Sequence, residues 1–119
     1  MTQTKTFSVQ IYIAGDIGHA KQICRKYCMD IGLCVTIEPL SFVYTGGEEA
    51  GMRIGLINYP RFPSEPSDIT ASALDLARHL RVGLSQHSFS VVTPKDTIWE
   101  SVRDEAAVSD MTKDRKSKT

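Results

Sequence analysis

Gly46-Gly47-Glu48-Glu49-Ala50-Gly51 stands between two β-rich runs and reads as a hairpin turn. Its place in the chain is what constrains the fold. It falls at the centre of a strand–helix–strand–strand–helix–strand order. Two strand–helix–strand units joined by a hairpin make the ferredoxin-like βαββαβ arrangement. Right-handed crossovers then lay both helices on one face of an antiparallel sheet. The expected fold is a two-layer α+β sandwich whose opposite sheet face is open.

The individual elements follow from periodicity. Phe7, Val9, Ile11 and Ile13 alternate with Ser8, Gln10 and Tyr12, a half-buried strand. Asp16 is placed to cap a helix in which Ile17, Ala20, Cys24, Tyr27 and Ile31 recur at helical spacing. Gly32 follows where a left-handed residue ends helices. Leu33 to Thr45 is the second strand, with Leu33, Val35 and Ile37 buried and Cys34, Thr36 and Glu38 facing away. Pro39 points to an edge strand or a bulge, with the pattern re-phasing through Phe42 and Tyr44.

Beyond the turn, Met52, Ile54 and Leu56 read as core, and Arg53, Gly55, Ile57 and Tyr59 as the opposite face. Pro60, Pro63 and Pro66 open a loop. Ser67 or Asp68 caps a second helix with the stripe Ile69, Ala73, Leu76, Ala77, Leu80 and Leu84. Phe89 and Val91 belong to a fourth strand. Thr97 to Val102 forms a short extra strand, with Trp99 packing back on the domain. Residues 1–102 are expected to form one domain. Residues 103–119 read as a charged, mobile tail with basic Lys113, Arg115, Lys116 and Lys118.

Composition narrows the function classes. The chain has 119 residues with 14 Lys and Arg against 14 Asp and Glu, so it lacks the basic excess of a nucleic-acid binder. No apolar run approaches the length of about 20 residues that spans a bilayer, and the N-terminus lacks a signal-peptide core. A cytoplasmic protein with reduced thiols is expected. Cys24, Cys28 and Cys34 lack the tight C-x2-C pairing of a zinc site, so no metal and no cofactor are expected. Glu48 and Glu49 are adjacent and diverge, so they do not form an acid/base pair, and no catalytic residue is identified.

The open face therefore carries the functional expectation. Tyr12, Arg53, Tyr59 and Arg61 are the candidate ligand-binding residues. The tyrosines offer apolar area with a polar tip, and the arginines hold carboxylate or phosphate. Gly46, Gly47, Glu48 and Glu49 form a candidate interaction loop. The leading reading is a non-enzymatic module that self-associates through this face, with a two-fold dimer as the first guess. One alternative is a protein that sequesters a small anionic ligand or nucleotide. Another is a module like the RNA-recognition fold, which stacks bases on aromatics of its central strands. The run Arg53-Ile54-Gly55-Leu56-Ile57-Asn58-Tyr59 lacks the paired aromatics of that pattern.

The run Tyr44-Thr45-Gly46-Gly47-Glu48-Glu49-Ala50-Gly51, with Leu56 to Pro63 after it, resembles small bacteriophage-encoded accessory proteins over the central third of the chain. The resemblance brings no catalytic residues. It implies a protein acting inside a bacterial host, where such proteins bind host factors or sequester nucleotide signals of host defence.

Overall fold

A computed structural model describes residues 1–102, and the tail expected over 103–119 lies outside the described residues. The elements are β1 (Ser8–Ala14), α1 (Ile17–Ile31), β2 (Thr36–Tyr44), β3 (Gly47–Ile57), α2 (Pro66–Gly83), β4 (Ser88–Val92) and β5 (Thr97–Ser101). The sheet order is β2-β3-β1-β4-β5, and every neighbouring pair is antiparallel. The first four strands and two helices make the expected ferredoxin-like sandwich. β5 lengthens the sheet beside β4.

Alternation in the strands decides which side chains meet the helices. Val9, Ile11 and Ile13 of β1, Met52, Ile54 and Leu56 of β3, and Phe89 and Val91 of β4 are buried. They pack in one core with Ala20, Cys24 and Tyr27 of α1 and with Ala73, Leu76, Ala77 and Leu80 of α2. Each fully buried Leu or Ile contributes roughly 1.5–3 kcal/mol by leaving water. Small residues on both helices let them sit close to the strands. Tyr27 ties the two helices, its hydroxyl donating to Asp75 Oδ2 at 2.8 Å. Burial, and secondly the Asp75 carboxylate, push the Tyr27 phenol up to about 12.

The helix ends follow local chemistry. Asp16 caps α1, its Oδ2 accepting the His19 N–H at 2.8 Å. Gly32 ends it at φ 80°. The start of α2 differs from expectation. Pro66 takes the first helical position, Glu65 precedes it without a side-chain cap, and Ser67 and Asp68 fall inside the first turn. Proline is pre-set for that position, and Asp68 there favours the positive end of the helix dipole.

Two strand expectations are also corrected. β2 is an edge strand, and Pro39 sits opposite Met52 in an unbroken register from Thr36 to Tyr44. There is no bulge and no change of phase, because an edge strand tolerates a missing N–H. The hairpin loop is shorter than Gly46 to Glu49. Tyr44 pairs with Gly47, so Gly47, Glu48 and Glu49 belong to β3. Only Thr45 and Gly46 turn, and Gly46 has φ 91°, which suits the second position of a type II turn. No described helix is long and apolar enough to cross a membrane.

Candidate functional site

One row of residues crosses the open face on all five strands. Glu38 pairs with Arg53, Arg53 with Tyr12, Tyr12 with Ser90, and Ser90 with Trp99. Side chains on one face repeat every second residue, so Phe42 and Tyr44 of β2 and Glu49 of β3 stand on this face too. Gly51 and Gly55 flank Arg53 on β3 and leave the floor low. The Phe42 ring lies over Gly51, and Thr36 and Gln10 close over Gly55.

Arg53 does not point freely into this space. Its Nη2 donates to Glu38 Oε1 at 2.7 Å and its Nε to the same oxygen at 3.3 Å. Glu38, and next Tyr12, hold the guanidinium even more firmly protonated than usual. The Glu38 carboxylate offsets the guanidinium charge, so the pair draws an incoming phosphate less strongly than a lone arginine would.

At the end of the face a cavity of about 240 Å³ opens between the hairpin and β5. Tyr12, Phe42, Tyr44 and Trp99 supply its aromatic walls, and Ser88, Ser90 and Gln86 its polar edges. Glu49 is the one charged side chain among its described lining residues. Trp99 and Tyr44 are each about half exposed, at 53% and 54%. Trp99 was expected to pack back on the domain. Instead it stands on the open face opposite Ser90, because β5 adds an edge strand with Ile98 and Glu100 turned to the helix side.

The four candidate residues do not form one cluster. Tyr12 and Arg53 are neighbours on the open face, as expected. Tyr59 lies beyond the end of β3 and lines a different cavity with Cys28, Cys34 and Ile69. The cause is Asn58. Its side chain donates to the Lys5 carbonyl at 3.0 Å and accepts the Ser64 N–H at 2.9 Å. That cross-link ends the strand and starts a tight turn, in which the Phe62 N–H reaches the Tyr59 carbonyl at 2.9 Å. Arg61, inside that turn, lies over the Phe62 ring at 5.3 Å. Phe42, Tyr44 and Trp99 were missed as site residues. Unbroken alternation from Thr36 onward was the signal for the first two.

No protein-family model matches the chain, and no curated protein matches it in sequence. Solved structures do share its fold. A phage SAM lyase in complex with S-methyl-5'-thioadenosine matches 87% of this chain and 95% of its own, at 17% identity and a TM-score of 0.65. A phage SAM lyase in the apo state matches 81% and 89%, at 17% identity and a TM-score of 0.59. CutA from Synechococcus elongatus PCC7942 matches 89% and 88% more loosely, at 16% identity and a TM-score of 0.42. The likeness to the two lyases establishes a common fold with them. They also correct the expectation of a non-enzymatic protein: the lyases sharing this fold are enzymes and come from phages.

Proposed function

We propose that this chain is a lyase acting on a sulfonium nucleoside of the SAM class, with the aromatic cavity as its binding site. The carrying observation is the composition of that cavity: four aromatic side chains around a single carboxylate, Glu49. A flat purine stacks on aromatic faces, and a sulfonium cation is attracted both to the rings and to the carboxylate. A phosphorylated nucleotide would meet Glu49 with no unmatched cation beside it, since Arg53 is held by Glu38. That weighs against the nucleotide-sequestering alternative and against RNA.

The likeness in fold to a lyase that has been solved with S-methyl-5'-thioadenosine supports the same ligand class. In such a cleavage the carbon–sulfur bond breaks and its electron pair passes to sulfur. The carbon left behind is satisfied within its own fragment, by attack of that fragment's carboxylate oxygen or by loss of a neighbouring proton as a double bond forms. The sulfur leaves as a neutral thioether. The aromatic walls also suit the neutral thioether, because thioether sulfur packs favourably against rings.

The cavity is small for an enclosed site, which typically holds about 300–1,000 Å³. A second copy covering the open face would complete it, and exposed Tyr44 and Trp99 give that contact an apolar surface. Calorimetric titration with SAM and with S-methyl-5'-thioadenosine tests the site. Both ligands should bind. Trp99→Ala should weaken binding by about tenfold or more, as the loss of one stacking platform implies. Absence of heat with both ligands, or equal affinity in Trp99→Ala, refutes the assignment.

A further inference from the structure

A second cavity, of about 420 Å³, lies at the C-terminal end of α1, on the helix side of the sheet. It is walled by Leu33, Leu56, Phe62 and Ile69, and into it come two thiols, Cys28 and Cys34, together with Tyr59. The end of α1 brings the thiols together. Gly32, in the left-handed region, turns the chain back, so that the N–H groups of Gly32 and Leu33 both reach the Cys28 carbonyl, at 2.8 and 3.2 Å. The returning chain passes the Cys28 sulfur, which accepts the Val35 N–H. That nitrogen is bonded directly to Cys34. Tyr59 forms a side-chain hydrogen bond with Cys34.

Both cysteines are free. Cys34 is exposed at the mouth, and Cys28 is partly buried behind it. Both thiols line the same cavity, and only five residues separate them in the chain. Cys24, one helical turn earlier, is buried in the core.

We propose that Cys34 and Cys28 form a thiol–disulfide exchange site that takes a low-molecular-weight disulfide and closes to an internal disulfide. The Cys34 thiolate attacks one sulfur of the small disulfide. A Cys34 mixed disulfide forms, and the first small thiol leaves with its bonding pair and picks up a proton. Cys28 then gives up its proton and attacks the Cys34 sulfur. The internal bond forms and the second small thiol leaves. Two protein thiols are oxidised, and one small disulfide is reduced to two thiols. Tyr59 donates its O–H to the Cys34 sulfur and so holds the attacking thiolate in place. The apolar wall receives the organic part of the reagent. The product staples the end of α1 to the entrance of β2.

The test is incubation of the full chain with oxidised glutathione, read by intact mass and by alkylation after denaturation without reductant. The wild type should lose two hydrogens, and only Cys24 should remain open to alkylation. Cys28→Ser should stop at a stable glutathione adduct on Cys34. Cys34→Ser should react at least about tenfold more slowly, since the accessible thiol is gone. A wild type that keeps a stable adduct, or in which all three thiols still alkylate, overturns the proposal. So does a Cys34→Ser protein that reacts as fast as the wild type. The wild-type mass alone decides the matter should either variant fail to fold.

Discussion

Replacing Gly51 by alanine asks whether the open face is packed as described. A Cβ built at Gly51 would stand 2.3 Å from Phe42 Cε2, 2.6 Å from the Ile13 carbonyl oxygen and 3.0 Å from Ala14 Cα. The ring can swing aside. The Ile13 oxygen and the Ala14 Cα belong to the central strand and cannot retreat without opening the β1–β3 pairing that joins Ala14 to Gly51. Overpacking of this kind costs about 1–3 kcal/mol. Alanine recovers roughly 0.5–1 kcal/mol by restricting the unfolded chain and suiting a strand better. Central values of about 2 and about 0.75 kcal/mol leave a net loss of about 1.25 kcal/mol, which lowers Tm by about 5 to 10 °C in a domain of this size.

Gly55→Ala is the control on the same strand and face. Its Cβ would meet only side-chain ends, Thr36 Oγ1 at 2.6 Å and Gln10 Oε1 at 3.1 Å. Those rotate away, so the loss should stay below about 1 kcal/mol. Thermal unfolding followed by circular dichroism measures both. Gly51→Ala should also displace Phe42 and weaken ligand binding in the aromatic cavity. An unchanged or raised Tm for Gly51→Ala, or a larger loss for Gly55→Ala, refutes the packing argument.

Alkaline pH should destabilise the fold through Cys24. Burial, and next Cys28, push its thiol from 9.0 to about 12. The folded state thus holds the proton more tightly, so this contribution is complete below pH 9 and disappears as pH climbs towards 12. The loss is on the order of 4 kcal/mol at the top of that window. Urea unfolding at stepped pH should show the decline, and Cys24→Ala should flatten it; a decline of equal slope in the variant would exclude Cys24 as its source. Asp16→Ala removes the cap that accepts the His19 N–H and should lower stability by about 1 kcal/mol, read as a shift in urea midpoint; no shift would mean that the cap is not formed in solution. Self-association through the open face should appear in sedimentation as a species heavier than the 13.2 kDa chain, and Trp99→Ala with Tyr44→Ser should return it towards the monomer. A monomer at tens of micromolar in the wild type would remove the second copy from the account.

The sheet order was legible because alternation in β1, β3 and β4 is clean and the two helices carry continuous apolar stripes. Residues that obey one period, such as Ile11, Ile54 and Leu76, announce their own burial. The site was less legible, for three physical reasons. Pro39 looked like an interruption, but an edge strand absorbs a missing donor, so the phase ran on and carried Phe42 and Tyr44 to the open face. Tyr59 looked like a continuation of β3, but the Asn58 amide ends the strand by bonding to Lys5 and Ser64, which are distant from it in sequence or across a turn. Trp99 looked like core because tryptophan usually is. Its position depended on β5 pairing with β4, a contact that no local pattern encodes. Arg53 stands on the open face as expected, and the β2–β3 register sets Glu38 opposite it, a partner that no local pattern in the sequence names.

The central claim is that an aromatic cavity with one carboxylate handles a sulfonium nucleoside. Its most direct test is incubation of the purified chain with SAM, with S-methyl-5'-thioadenosine measured by liquid chromatography over time. The account predicts that the thioether accumulates in step with the loss of SAM, and that Glu49→Gln and Trp99→Ala slow its formation. It also predicts that ligand at about 100 times its dissociation constant adds about 2.7 kcal/mol of stability. SAM that persists unchanged, with neither compound raising the melting temperature, would contradict it.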